Sequence, residues 1–308
     1  MDRLETMSIL LTVVETGSLS AASRRLGMPL ATVSRRISDL EAQLRARLLN
    51  RSSRRLTLTD AGASYVQACR RILDDVDEAE RAVSGEYRTP KGELIVTAAM
   101  VFGRLHVVPV AAEFLKAYPE IDLRLVLNDR RVSLIEEHID LGVRLGELPD
   151  SSLIAIRVGS IQRVVCASPA YLDRRGSPQT PQELADHVCI TFAGPQRPDA
   201  WDFPLGKSVV FAPVHSRLVV NSAEAAVDAA VQGIGITCVF SYHIAEAVRA
   251  GRLTLLLRAF EPPPLPVNLV YPAGRLLPLK VRAFLDFAAP RFKARLAADF
   301  ERHSETGT

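Results

Sequence analysis

Nine arginines lie within residues 24–55, and only two carboxylates, Asp39 and Glu41, oppose them. This segment carries a net charge of +7, whereas the whole chain carries +3 and the remainder therefore −4. The segment contains no Lys. A guanidinium group makes planar, two-pronged hydrogen bonds to phosphates and to guanine edges. This composition favours contact with a polyanion such as a nucleic acid, and the alternative is an ordinary solvated helical face.

The arginines lie in a segment that has the apolar spacing of a small helical fold. Apolar residues three and four positions apart predict a first helix that starts near Leu4. A short second helix follows, which Ser18 or Ser20 can cap. A third helix is predicted from about Leu30 to Leu44. Two helices joined by a tight turn, the second with a cationic face, form a helix-turn-helix whose second helix enters the major groove.

Two short extended runs around a basic turn follow the third helix and predict a β-wing, so that residues 1–59 form a winged helix-turn-helix domain. We expect phosphate contacts from four arginines and base contacts from the exposed face of the third helix. An arginine at the tip of the wing is placed to enter a narrow minor groove. The predicted DNA-contacting residues are Ser20, Arg24, Leu30, Ala31, Thr32, Ser34, Arg35, Arg36, Arg51, Arg54 and Arg55, with Arg24, Arg36, Arg51 and Arg55 on phosphates and Arg54 in the minor groove.

Residues 60–89 predict one long linker helix. Its apolar positions alternate in steps of four and three, a repeat of about 3.5 residues that is typical of a coiled-coil seam. The alternative is a helix face packed on its own domain. A seam predicts a homodimer whose two third helices face half-sites about 34–36 Å apart. The seam residues are Tyr65, Cys69, Ile72, Val76, Ala79 and Val83.

These residues together resemble the LysR-type transcriptional regulators. The resemblance rests on the segments at residues 15–28, 32–37 and 48–62, which are ordered and ungapped, and it extends over the rest of the chain with lower specificity. It implies a regulator, not an enzyme, that binds double-stranded promoter DNA as a homodimer or tetramer and responds to a small-molecule effector. It also implies a two-lobed effector domain similar to periplasmic binding proteins, whose closure alters DNA bending.

The sequence departs from this family at the start of the third helix. Many members carry Ser-Gln where this chain has Pro29 and Leu30. A base-contacting Gln is therefore missing at position 30. We expect base recognition to rely on Leu30 and Ala31 against thymine methyl groups, and on Ser34 and Arg35.

Strand and helix patterns alternate across residues 90–302, which predicts an α/β domain with mostly parallel sheets. The pattern repeats after residue 163 and returns after a Pro-rich stretch at 262–266. We therefore expect lobe I to contain residues 90–163 and 269–302, and lobe II to contain residues 164–268. Two crossovers, near 164–167 and 266–269, would join the lobes.

Ligands of such folds bind in the cleft at strand carboxyl ends and helix amino ends. The turn after the first strand, at residues 99–103, is a natural anion site at a helix amino end. Phe192 and Trp201 are candidates to wall the cleft, with core packing as the alternative. The candidate effector residues are Ala99, Met100, Val101, Phe102, Gly103, Asn128, Gly146, Phe192, Trp201, Asn221 and Ser222.

The turn after the first strand carries no hydroxyl beyond Thr97, which lies earlier. Members of the resembled family often have a Ser or Thr there for an effector carboxylate. We therefore favour an effector that depends less on a carboxylate, or an aromatic effector.

The remaining patterns exclude other classes of protein. The four cysteines have no metal-ligand or redox spacing, Gly233 and Gly235 do not form a dinucleotide fingerprint, and no nucleophile, base or metal constellation indicates an enzyme. We predict no metal and no cofactor other than the effector. The absence of an apolar run long enough to cross a membrane, or of a secretory signal, favours a cytoplasmic protein over the alternative, an exported solute-binding protein.

Overall fold

The computed structural model describes residues 2–51, 56–84, 89–130, 132–149, 152–192, 199–205, 208–273 and 277–305. The chain forms two compact units, Met1–Thr89 and Pro90–Thr308.

The first unit is a winged helix-turn-helix domain followed by a long helix. Val33 and Ile37 pack without exposed surface against Leu10 and Ala22 in its core. The wing strands pair antiparallel, with Leu49 opposite Leu58. The elements are α1 (Arg3–Thr16), α2 (Leu19–Leu26), α3 (Leu30–Leu44), β1 (Leu49–Arg51), β2 (Leu56–Leu58) and α4 (Asp60–Ser84).

Side-chain caps fix the helix starts in this unit. The Ser18 hydroxyl accepts a 3.0 Å hydrogen bond from the Ala21 N–H, and the Thr59 hydroxyl accepts one of 2.9 Å from the Gly62 N–H. A side chain at Gly62 would overlap the backbone carbonyl of Leu48. Glycine at this position therefore allows α4 to pack closely against the backbone of Leu48, just before β1.

The second unit has two α/β lobes, as the sequence predicts. Its strands are β3 (Gly92–Ala98), β4 (Ile121–Leu127), β5 (Leu141–Leu145), β6 (Leu153–Ile161), β7 (Arg163–Ala167), β8 (Val188–Phe192), β9 (Ala200–Leu205), β10 (Ser208–Pro213), β11 (His215–Val220), β12 (Ile236–Phe240), β13 (Thr254–Leu256) and β14 (Leu265–Pro272). Its helices are α5 (Met100–Phe102), α6 (Val108–Ala117), α7 (Pro169–Arg175), α8 (Ala223–Val231), α9 (Ser241–Arg249) and α10 (Leu279–Glu305), and a π-helical turn, Gly103–Val107, joins α5 to α6.

Each lobe contains one five-stranded sheet. Lobe I has the strand order β4-β3-β5-β14-β6, and lobe II has β11-β8-β12-β7-β13, with β9 and β10 as a separate hairpin. The sheets are mixed, which corrects the expectation of mostly parallel strands. In lobe I, β14 runs antiparallel to both β5 and β6. In lobe II, β7 runs antiparallel to both β12 and β13.

The lobe boundaries differ from those predicted. The first crossover is at Gln162, because β6 belongs to lobe I and β7, which starts at Arg163, belongs to lobe II. The return to lobe I is complete at Leu265, which pairs with Ile161 in the lobe I sheet. Residues 265–268, expected in lobe II, therefore lie in lobe I. Proline lacks an N–H donor and is uncommon inside a sheet, so the Pro-rich composition did not predict this strand. Pro266 is nevertheless the second residue of β14.

The alternating strand and helix pattern places a short helix at residues 132–138, but residues 134–138 form a series of turns. His138 adopts a φ of 55°, a left-handed conformation that ends the turn. The segment buries Leu134 beside Ile139 and Val270. A single buried side chain gives too little apolar stripe to hold a helix. Within the described residues, no helix is both long and apolar enough to cross a membrane.

Candidate DNA-binding surface and effector cleft

The outer face of α3 has the surface properties expected of a base-contacting helix. Ala31 and Arg35 are exposed, and Thr32 and Ser34 are half-buried beside them. Leu30, at the amino end of α3, exposes 47% of its surface. An apolar side chain so exposed at this helix end has the chemistry to contact a thymine methyl group.

Two predicted contact residues on α2 are also exposed, namely Ser20 and Arg24. Because Ser18 caps α2, the Ser20 hydroxyl is not used for that purpose. Within the part of the chain that the structure describes, neither Arg24 nor Arg35 forms an ion pair with a carboxylate. Arg25, by contrast, lies 3.3 Å from a carboxylate oxygen of Glu15.

Arg36 has a different environment from the one expected for a phosphate contact. Its guanidinium lies 3.1 Å from Glu5 of α1, and a quarter of its side chain is exposed. The pair joins α3 to α1 and holds the Arg36 side chain between the two helices, and its contact with a phosphate stays a prediction. Arg51 lies in β1, although its side chain is not described, and Arg54 and Arg55 lie outside the described residues.

The first part of α4 packs on its own domain. Cys69 has no exposed surface and lies in the domain core, against which Tyr65 packs. Cys69 is therefore removed from the predicted seam, because an apolar repeat does not distinguish a face buried within a domain from a face buried between chains. Tyr65 is half-buried, and its place in the seam stays a prediction. Ile72 and Val76 are half-buried, and the side chains of Ala79 and Val83 are outside the description.

In lobe I, the turn after β3 divides into exposed and buried residues. Ala99 is half-buried and Met100 is 46% exposed, whereas Val101 and Phe102 are buried at 7% and 0%. Val101 and Phe102 therefore belong to the protein interior, and the prediction that they contact the effector is wrong. A side chain at Gly103 would press into Leu127, so this glycine serves helix–strand packing.

The helix end in this turn already holds an acidic side chain. The backbone N–H of Met100 donates a 2.9 Å hydrogen bond to the carboxylate of Asp129. Asp129 follows Asn128, whose own side-chain oxygen accepts from the Arg130 N–H at 2.9 Å. At the predicted anion site, residues 99–103, the carboxylate of Asp129 therefore already occupies the Met100 N–H, which corrects the expectation of an open site. The spacing of residues did not predict this contact, because Asp129 is 29 residues away from Met100.

The other candidate positions lie at element ends. Gly146 follows β5 with a φ of 90°, and its N–H donates to the Pro266 carbonyl at 2.8 Å. Asn221 is exposed, and the hydroxyl of Ser222 caps α8 by accepting from the Ala225 N–H at 3.4 Å. These residues are placed where α/β folds bind ligands.

The two candidate aromatic residues of lobe II differ. Phe192 is half-buried at the end of β8. Trp201 is only 2% exposed and packs in the lobe II core with Phe203 and Tyr171, so it does not wall the cleft. The core alternative is correct for Trp201, since a large aromatic ring is the natural filler of a small lobe.

The structure shows contacts between the lobes that the sequence did not predict. Arg104, in the π-helical turn of lobe I, lies 2.6 Å from Glu224 in the first turn of α8 in lobe II. The ring of Phe102 meets Tyr242 of α9 edge-on, with centroids 5.5 Å apart. The residues of each pair lie far apart in sequence. The one feature of the sequence that could have pointed to them is their position in or next to the first turns of helices.

The electrostatics near this junction keep a histidine neutral. Burial lowers the pKa of His243 to about 4, and the opposing field of Asp129 only partly offsets this. Burial likewise raises the pKa of Tyr242 well above its usual range. In lobe II, the guanidinium of Arg163 donates to both carboxylate oxygens of Asp202, at 2.9 Å each, and this hydrogen bonding lowers the pKa of Asp202.

A winged helix-turn-helix unit with an exposed cationic helix, in one chain with a two-lobed α/β unit, defines a DNA-binding protein with a ligand-binding regulatory domain. The chain belongs to the LysR-type transcriptional regulators. The family model "Bacterial regulatory helix-turn-helix protein, lysR family" matches residues 4–63, and "LysR substrate binding domain" matches residues 88–293.

Proteins that are similar over nearly the whole chain are also named as transcriptional regulators. A transcriptional repressor of Pseudomonas aeruginosa is 35% identical over 294 residues, 95% of this chain and 93% of the relative. The transcriptional activator AaeR of Escherichia coli K12 is 34% identical over 290 residues, 93% of each chain. The solved LysR-type regulator CrgA of Neisseria meningitidis is similar with a TM-score of 0.55 and 32% identity over 99% of both chains.

Proposed function

We propose that this regulator binds promoter DNA with α3 in the major groove, where Leu30, Ala31, Ser34 and Arg35 contact base edges. The observation that carries the proposal is the division of α3 into a buried side, Val33 and Ile37, and an exposed polar side. Residues near the amino end of such a helix meet bases.

Phosphate contacts would come from elements beside α3. Ser20 and Arg24 are exposed on α2, the helix that crosses the backbone in such folds. The wing arginines, Arg51, Arg54 and Arg55, are proposed from sequence alone. Charge neutralisation at phosphates releases counterions, so binding would weaken steeply with salt.

The effector would bind in the cleft between the lobes, near Ala99, Met100, Asn128, Gly146 and Ser222. Asp129 lies at the helix end where an effector carboxylate would bind, and its charge repels a second anion there. This supports an effector held in the cleft by apolar, aromatic and neutral polar contacts, with no carboxylate at Met100. From the apolar repeat along α4, we propose a dimer or tetramer that acts on DNA in the cytoplasm.

The test is binding to DNA from the region upstream of the regulator's own gene, titrated with salt and compared with random DNA of equal length. We expect selective binding whose affinity falls steeply with salt, and a footprint over two or more half-sites. The relatives include both a repressor and an activator, so the assay measures binding and not the direction of regulation. Absence of binding to any DNA at low salt would reject the proposal.

A further inference from the structure

A cavity of about 1010 Å³ lies where both lobes meet, and none of the residues proposed for the effector cleft lines it. The π-helical turn and α10 of lobe I form one side, and α9 of lobe II forms the other. The volume is at the upper end of the range for small-molecule sites, which is roughly 300–1,000 Å³. The space is therefore large enough for a two- or three-ring molecule.

One buried polar atom at this cavity lacks a partner. His106 lines the cavity and is only 6% exposed, yet its Nε2 has no hydrogen-bond partner among the described residues. Its Nδ1 faces the Asp299 carboxylate at 3.6 Å. A carboxylate only accepts, which favours the proton on Nδ1 and leaves Nε2 as an acceptor. An unsatisfied buried polar atom costs free energy, and a donor from a ligand would remove that cost.

The walls combine apolar surface with positive charge. Leu105, Val248 and Ala294 present apolar surface, and the cations Arg249 and Arg295 lie at the lining. Of the acidic groups, Glu246 pairs with Arg252 at 3.7 Å and Asp299 faces His106. Arg295 shares the lining with this apolar surface, an arrangement suited to the anionic end of an amphipathic molecule.

We propose that this cavity is a second ligand site of the regulator, and that it binds a small amphipathic anion whose hydroxyl or N–H group donates to Nε2 of His106. The apolar body of the ligand lies between α9 and α10, and its anionic group pairs with Arg295. Because the ligand contacts both lobes, its binding favours one relative position of the lobes and couples this site to the cleft.

The probe is 1-anilinonaphthalene-8-sulfonate, which has an apolar body, one anionic group and one N–H donor, and which fluoresces when bound. It is titrated into the full-length regulator and three variants. Ala294→Trp fills the cavity, and Ala297→Trp is the matched control, since Ala297 is exposed on the same helix but does not line the cavity. Arg295→Gln removes the cation without adding bulk.

The expected result is one bound probe per chain, with affinity reduced at least about tenfold by Ala294→Trp and about tenfold by Arg295→Gln, which corresponds to the loss of one charge-assisted contact. Ala297→Trp should bind as the wild type does. Absence of binding to the wild type, or equal affinities in Ala294→Trp and Ala297→Trp, would overturn the proposal. If Ala294→Trp fails to fold, an unchanged affinity in Arg295→Gln has the same consequence.

Discussion

The side-chain amide of Gln162 donates a 2.7 Å hydrogen bond to the backbone carbonyl of Pro262. Gln162 is the first crossover between the lobes and is only 4% exposed, and Pro262 lies in the second crossover. The carbonyl of Gln162 also accepts from the N–H of Ser241, the first residue of α9. The side chain of Gln162 thus joins the two hinge segments, and its backbone carbonyl holds the first residue of α9 beside them.

Gln162→Leu should therefore lower the free energy of unfolding of the regulatory unit by about 1–3 kcal/mol, because a polar group in the hinge loses its partner. Urea unfolding followed by Trp201 fluorescence measures this loss. Gln179→Leu is the control, because the Gln179 amide bonds to Ser177 at the exposed surface. Equal losses in the two variants would show that the hinge hydrogen bond has no special weight.

Arg35→Ala should weaken binding to the operator by about 1–3 kcal/mol and reduce the preference for operator over random DNA. Arg35→Lys retains the charge but loses the planar two-pronged geometry. We expect Lys to restore random-DNA binding without restoring the preference. Gel-shift titrations at fixed salt measure both affinities, and a loss of the same size on both DNAs would assign Arg35 to phosphate.

Ile72→Glu with Val76→Glu should reduce the assembled mass in solution, because charges on the two half-buried apolar positions of α4 oppose a seam between chains. Gln67→Glu adds a charge at an exposed position of the same helix and serves as the control. Light scattering measures the mass. An unchanged mass in the double variant would place the dimer contact elsewhere.

Gly62→Ala should destabilise the winged domain by about 1–3 kcal/mol, since the added methyl group overlaps the Leu48 carbonyl and the backbone must move. Ala63→Ser, one residue further at an exposed position, should have little effect. Circular dichroism melts compare them. Equal melting temperatures of the wild type and Gly62→Ala would show that α4 shifts freely.

The neutral state of His243 predicts a pH dependence of stability. Its native pKa of about 4 lies below the unfolded value of about 6.5, so the unfolded chain binds the proton first. Its contribution is fully present above about pH 6.5 and is lost as the pH falls toward 4. His243→Gln should reduce the loss between pH 7.5 and 5 by about 1–2 kcal/mol. Exposed His215→Gln is the control, and identical pH profiles for both variants would contradict the buried neutral state.

The sequence predicted the winged domain closely because its signals are local. Helix α3 runs from Leu30 to Leu44 as expected, since apolar spacing and the turn at Pro29 are contained in one short segment. For the amino-terminal cap of α2, the sequence left Ser18 and Ser20 as alternatives. In the structure, the Ser18 hydroxyl makes the capping hydrogen bond.

The regulatory unit was less predictable because its important contacts join distant residues. Asp129 at the Met100 N–H, and Glu224 at Arg104, depend on which strands and lobes become neighbours. Composition does not distinguish a core tryptophan from a cleft wall, and so Trp201 was misplaced. Likewise, a repeat of apolar residues in α4 does not state which protein surface covers it, as Cys69 shows.

The carboxylate of Asp129 is tethered to the chain, and this has a consequence for ligand selection. A tethered group competes at an effective concentration that free metabolites rarely reach. An anion arriving at the Met100 N–H must first displace this resident competitor. We therefore expect the helix end to discriminate against small acids, whichever effector the rest of the cleft binds.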